Sequence, residues 1–294
     1  MIPRPYVGRF APSPTGPLHL GSLVTAVASF LDARAHQGRW LLRIEDIDPP
    51  REIPGAATLI ARQLEAHGLH WDGPICHQSQ RIELYHQALA KLADQGLLYV
   101  CACSRQRLLG LGGRYDGNCR ARKLDPGAPL PPAALRIEVA ASGLPEQHDF
   151  LLGTAFGDPI RDGDFIVRRR DGLIAYQLAV AVDDAEQGIT HVLRGADLFD
   201  STARQCFVLE QLGLAIPAYG HVPVVLGVDG HKLSKQNQAP PLVAAEAAAN
   251  LGQALRWLGL EPPLEILDLS PVEQLAWGVR HWSRDLPTKK NQTA

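Results

Sequence analysis

At 294 residues and 46% hydrophobic composition, the chain has room for one large or two modest domains around an ample core. A formal net charge of −2 excludes bulk electrostatic attraction to nucleic acid, so any RNA contact must use a local patch. No apolar run could span a bilayer and no secretory h-region opens the chain, which leads us to expect a soluble, cytoplasmic protein with no membrane partner.

Residues 6–11 read as a short buried strand, and the Pro/Gly-rich stretch from Pro12 to Gly21 can continue neither strand nor helix. From 22 to 35, Leu23, Val24, Ala26, Val27, Phe30 and Leu31 recur at helical spacing. His19 and Gly21 therefore sit at a strand-to-helix junction, where backbone N–H groups and the helix dipole favour an anion. Gly21 has no Cβ, so a nucleotide could approach its backbone closely. An ordinary βα loop with a surface histidine is the competing reading. Residues 40–44 form the next strand, ending at Glu45, and helices are expected near 55–67 and 81–95. The second of these carries Leu84, Ala88, Leu89 and Leu92 on one face.

Residues 100–160 are richer in Gly and Pro, lack sustained periodicity and read as an insertion. Five cysteines in a chain of this length do not suggest a disulfide framework. Cys76 and Cys206 look isolated and read as packing residues. Cys101, Cys103 and Cys119 instead fall within nineteen positions, on a glycine-rich stretch with little core-forming content. Thiolates at this density suit Zn²⁺, which takes four tetrahedral ligands and contributes folding energy to small irregular segments. No histidine lies nearby to complete the set. Tyr115, Asp116 and water all stay open as the fourth ligand, as does the reading of three reduced structural thiols.

Beyond 160, Ala179-Val180-Ala181-Val182 is a continuous apolar run and reads as a buried parallel strand. Residues 189–193 form another strand, ending at Arg194. A strand-like run at 222–226 and a turn at 228–230 precede Lys232 and Lys235. Helical patterns at 244–258 and 271–282 lead to a polar, frayed end at 286–294. Arg168 to Arg170, and Arg120, Arg122 and Lys123, form two basic clusters, each either a solvated face or an RNA patch. Arg9, Glu45 and Arg194 all fall at strand ends, where sites form in α/β folds. Taken singly, Glu45 reads as a surface pair with Arg43 or Arg51, and Arg194 as a bridge to Asp197.

The segment from Pro12 to Gly21 and the run Lys232-Leu233-Ser234-Lys235 resemble the HIGH and KMSKS motifs of class I aminoacyl-tRNA synthetases, in the glutamyl/glutaminyl branch. Further likenesses follow in motif order at 42–49 (LRIEDIDP), 68–74 (GLHWDGP), 78–81 (QSQR), 164–169 (DFIVRR), 171–172, 182–184 and 194–198 (RGADL). Full-length glutamyl-tRNA synthetases continue into a long anticodon-binding region. With only a short stretch after the lysines, the chain is similar to the short family of glutamyl-Q tRNA(Asp) synthetases.

The resemblance implies an α/β fold with a class I synthetase, Rossmann-like parallel sheet. Residues 1–99 and 161–225 would be the halves of the catalytic domain, and 100–160 an inserted acceptor-binding subdomain with a zinc knuckle. Residues 226–294 would carry the lysine loop and a helical region, with no anticodon-binding domain. The implied activity is ATP-dependent activation of L-glutamate, then transfer of glutamate to the queuosine base in the anticodon of tRNA(Asp). A truncated glutamyl-tRNA synthetase charging a 3′ end, and a non-catalytic RNA-binding module, are the alternatives. By resemblance, His19, Lys232 and Lys235 are catalytic, and His19, Gly21 and Lys235 hold ATP with its Mg²⁺. Arg9, Ala11, Ser13, Glu45, Tyr176 and Arg194 hold glutamate, and one structural zinc sits on Cys101, Cys103, Tyr115 and Cys119. An arginine fork matches a carboxylate bidentately and leaves donors unpaired against an amide, which favours glutamate over glutamine.

Overall fold

The computed structural model describes residues 5–112, 115–139, 146–157, 163–225 and 240–286. Parallel strands need long crossovers, and the amino-terminal third supplies them with helices. Val7–Phe10 (β1), buried throughout, is followed by Leu20–Ala35 (α1) and then by Arg39–Ile44 (β2), which pairs parallel to β1. Ala56–Ala66 (α2) returns the chain to Cys76–His77 (β3), parallel to β2, and Ile82–Asp94 (α3) follows. The apolar face of α1 disappears into the main core with Trp40, Leu42 and Ile44.

Leu98–Val100 (β4), Leu135–Ile137 (β5) and Phe165–Arg168 (β6) make a separate antiparallel sheet, with Arg105–Leu109 (α4) between its first two strands. Tyr176–Glu186 (α5) comes next. His191–Gly195 (β7) and Ala218–Val222 (β8) then form a second parallel pair, joined by Thr202–Gln211 (α6). Thr190, just before β7, anchors this pair beside β1: its N–H donates to Val7 O at 2.9 Å and its Oγ1 accepts from Val7 N at 2.8 Å. Ala247–Trp257 (α7), Leu264–Leu267 (α8) and Pro271–His281 (α9) complete the chain, α9 starting in a capping box of Ser270 and Glu273. No helix among the described residues is long and apolar enough to cross a membrane.

Two expectations are corrected. Residues 179–182 are not a strand but the middle of α5. That helix is buried on nearly every side, from Leu178 through Asp184, so its sequence shows no polar face to reveal a helical period. The strand expected at 222–226 ends at Val222, with its paired residues upstream at 218–222. Pro223 has no N–H to continue the ladder.

Most members of the basic clusters are committed within the protein. Arg168 is buried and donates to the carbonyls of Pro131 and Ala133, Arg169 pairs with Asp48 and Asp171, and Arg170 donates to the Ala102 and Cys103 carbonyls. Arg120 grips Asp164 through two hydrogen bonds of 2.7 Å, and Lys123 pairs with Glu138. At the carboxyl end, Asp32 on α1 is fully buried and accepts from Tyr6 Oη, Trp282 Nε1 and Arg284 Nε and Nη2. Residues 287–294 of the expected frayed end lie outside the described residues.

Candidate active site

The loop after β1 cannot pair as a strand, and α1 begins where it ends. His19 is the N-cap of that helix, and its Nδ1 accepts from the Ser22 N–H at 3.3 Å. In that geometry the neutral ring carries its proton on Nε2. The loop is held from two sides. Buried Gln63 of α2 accepts from Leu18 N at 2.8 Å and donates to Leu242 O at 2.9 Å, while Leu242 N donates to Leu18 O and Pro241 bridges His19. The chain on the far side of residues 226–239 is thus stitched to the histidine loop. Lys232 and Lys235 fall in that stretch, outside the described residues.

One cavity of about 510 Å³ opens over the ends of β1, β2 and β7. Its walls include Arg9, Ala11, Ser13, His19, Gly21, Glu45, Tyr176 and Arg194, so every expected glutamate-binding residue and the described ATP-binding residues share it. Thr25, Arg51, Asp197 and Val225 line it as well. They were not expected from the sequence.

Beneath the cavity lies a buried array of charge. Arg9 sends Nε and Nη2 to the two oxygens of Asp184, at 3.0 and 3.3 Å. Arg43 meets the same carboxylate with Nη1 at 2.8 Å and approaches Glu45 with Nη2 at 3.7 Å. Glu45 therefore does pair with Arg43, but in the interior, not at the surface. Burial pushes the Glu45 carboxyl up to about 7, against the pull of Arg43 and Arg9, and Asp184 and Asp183 add to the rise. Burial also opposes the charge on Asp184, but Arg9 and Arg43 outweigh it and hold that carboxyl below the usual range. Its neighbour Asp183 turns the other way, accepting from Gln78, Arg81 Nε and Tyr85 Oη. Two adjacent acids at the end of an apolar run were the sequence signal for this array, since buried carboxylates require cations.

Arg194 does not bridge to Asp197 in the way its sequence neighbourhood suggested. Its Nε donates to His221 Nε2 at 3.0 Å, Nη1 to Gln205 Oε1 at 2.7 Å, and Nη2 to Thr202 Oγ1 and Leu198 O. Four of its five N–H donors are engaged within the protein, so it meets the cavity with its charge and the remaining N–H of Nη1, not with a fork. Arg9 keeps its Nη1/Nη2 edge and is the guanidinium able to face a carboxylate with two donors.

Away from this cavity, the Sγ atoms of Cys101, Cys103 and Cys119 lie within 4.8 Å of one another. Cys103 and Cys119 are 3.6 Å apart, and Tyr115 Oη stands 3.4 Å from Cys103 Sγ and 3.9 Å from Cys101 Sγ. Zn–S bonds of about 2.3 Å in a tetrahedron put sulfurs about 3.8 Å apart, so the cluster fits a zinc ion. Tyr115, not Asp116, points its oxygen at the sulfurs, for Asp116 is paired with Arg107. Arg136 lies over the Tyr115 ring at 3.9 Å and donates from Nε to Cys101 Sγ.

The catalytic-domain model of the class I tRNA synthetases (E and Q) matches residues 6–256. A Pseudomonas aeruginosa protein named glutamyl-Q tRNA(Asp) synthetase is 51% identical over 282 residues, 94% of this chain and 93% of its own length. A Salmonella typhi protein of the same name is 50% identical over 288 residues, 97% of this chain and 95% of its own. In fold, the chain is similar to the crystal structure of glutamate-tRNA synthetase from Elizabethkingia anophelis, with a TM-score of 0.75 and 24% identity, covering 97% of this chain and 67% of that one. The chain belongs to the class I tRNA synthetases of the E and Q family, in its short glutamyl-Q tRNA(Asp) branch.

Proposed function

We propose that this protein activates L-glutamate with ATP and transfers it to the queuosine base in the anticodon of tRNA(Asp), in the cytoplasm. The observation that carries this reading is the meeting, in one cavity, of an acid for an ammonium, two guanidiniums for carboxylates and an imidazole at a helix N-terminus. The near full-length likeness to proteins named glutamyl-Q tRNA(Asp) synthetase supports the acceptor.

Glutamate would set its ammonium against Glu45 and the Ser13 loop near Ala11, with its side-chain carboxylate facing Arg9, Tyr176 and Arg194. Its α-carboxylate attacks the α-phosphorus of ATP and pyrophosphate leaves. The nucleophile is already ionised, so no general base is required, and the work is positioning and charge neutralisation. His19 Nε2 and the Gly21 backbone address phosphate oxygens. Lys232 and Lys235 neutralise charge on the α-phosphate and leaving group, a role supported by Val225 lining the cavity and Pro241 bridging His19 on either side of their stretch. Mg²⁺ would accompany the nucleotide and neutralise phosphate charge. A hydroxyl of the acceptor then attacks the adenylate carbonyl and releases AMP.

The test is transfer of labelled glutamate to tRNA(Asp) prepared with and without queuosine, both with intact 3′ ends. Label confined to the queuosine-containing tRNA is expected. Equal labelling of both would assign the 3′ end as acceptor instead.

Two further results are expected. Free Glu45 is partly protonated near neutrality, and a bound ammonium favours its carboxylate. The KM for glutamate should therefore fall as pH rises from about 6 to about 8, and Glu45→Gln should abolish that dependence while weakening binding. Zinc would serve a structural role on Cys101, Cys103, Cys119 and Tyr115. Elemental analysis should give about one zinc per chain, lost in Cys101→Ser.

A further inference from the structure

Arg194 is held by a buried chain of polar groups that begins well outside the cavity. The stretch 146–157 folds as a tight turn around Asp149, whose N–H donates to Thr154 O at 2.9 Å and whose carbonyl accepts from Gly153 N at 2.8 Å. Gly153 has φ of 66°, a left-handed value that a side chain would resist. Asp149 Oδ1 accepts from the backbone N–H groups of Leu151 and Leu152, both at 2.8 Å, and of His221 at 3.2 Å. Its second oxygen, Oδ2, lies 2.5 Å from His221 Nδ1. His221 Nε2 in turn faces Arg194 Nε at 3.0 Å and Thr202 Oγ1 at 3.3 Å. Asp149 and His221 are 1% and 0% exposed, and the rings of Phe199 and Phe156 pack against the imidazole.

The donor count fixes the tautomer. A carboxylate can only accept, so Nδ1 carries the proton, and Nε2 is left with a lone pair for the arginine. A proton on Nε2 would set two donors face to face. Burial and the Arg194 charge both disfavour the imidazolium, outweighing the hydrogen bond to Asp149.

We propose that Asp149 and His221 are positioning residues of the amino-acid pocket, a carboxylate–imidazole pair that orients the Arg194 guanidinium and thereby sets the preference for a side-chain carboxylate over an amide. This rests on the reading of Arg194 as part of the glutamate pocket. Held at Nε, Nη1 and Nη2, the guanidinium presents a single N–H direction, so its placement decides how well it meets a carboxylate oxygen.

Glutamate-dependent pyrophosphate–ATP exchange tests this on the full chain, with thermal unfolding recorded for each variant. His221→Phe removes the acceptor and keeps a ring. Asp149→Asn keeps an oxygen for the three backbone N–H groups but turns its amide to Nδ1, which drives the proton to Nε2. Both should raise the KM for glutamate about tenfold or more and reduce the glutamate-over-glutamine ratio of kcat/KM, with the KM for ATP within about twofold of the parent. His221→Gln, whose amide oxygen can take the place of Nε2, should recover most of the loss. An unchanged glutamate KM and selectivity in His221→Phe and Asp149→Asn overturns the proposal, as do equal losses for glutamate and ATP that track lowered stability. Arg194→Gln separates the two readings. If it leaves the glutamate KM unchanged, the pocket reading itself is wrong; if it raises that KM while the other variants do not, only the positioning role fails.

Discussion

Replacing His19 with asparagine is expected to slow glutamate-dependent pyrophosphate exchange by about 10²–10³-fold while leaving the fold intact, the usual cost of removing one preorganised donor to a developing oxyanion. The prediction depends on the ring doing two jobs with two nitrogens. Nδ1 caps α1 by accepting from Ser22 N–H, and this leaves Nε2 as a donor at the positive end of the helix. Asparagine is among the strongest N-caps, so the first job survives and only the second is lost. Alanine should lose both, with about 1 kcal/mol of stability as well. Exchange kinetics beside thermal melts would check this. An asparagine variant within a few-fold of the parent rate would remove the imidazole from the phosphate chemistry.

Asp184→Asn should be the most destabilising conservative change in the site, lowering the unfolding free energy by about 3–5 kcal/mol. The carboxylate is fully buried and compensates both Arg9 and Arg43, themselves 3% and 0% exposed. The amide fits the space but leaves two guanidiniums short of one negative charge, and water cannot reach Arg43. Urea unfolding should show a lower midpoint with an unchanged slope. The pH dependence carries the same signature. Arg9 and Arg43 hold the folded-state carboxyl below its unfolded value, so its contribution is present at neutral pH and is lost as pH falls below about 4, through the depressed folded value. The asparagine variant should lack that component of acid unfolding. It should also raise the KM for glutamate, since Arg9 is then free to turn.

Much of the frame is legible in the sequence because its signals are local. Prolines and glycines at 12–21 stop β1, and the apolar period of α2 and α3 survives because each keeps a solvent-facing side. The α5 helix hides its period for the opposite reason, being enclosed on nearly all sides. The residues lining the cavity were gathered by likeness to motifs, not by spacing, for Arg9, Glu45, Tyr176 and Arg194 come from four distant segments. What stayed hidden was the layer behind them. Asp184 meets Arg9 across 175 positions, and Asp149 meets His221 across 72, and no periodicity reports such pairs. The donors of Arg194 are hidden on the same ground, taken by His221, Gln205 and Thr202, which sequence alone does not bring near.

The Asp32 carboxylate has a consequence for how the protein is made. Its Trp282 and Arg284 donors lie 250 and 252 positions downstream. While the chain emerges from a ribosome, α1 can assemble with the early strands, yet the acid in its interior has only Tyr6 and His36 beside it until Trp282 and Arg284 are made. A product stopped short of Trp282 would carry an under-coordinated charge in its oldest part.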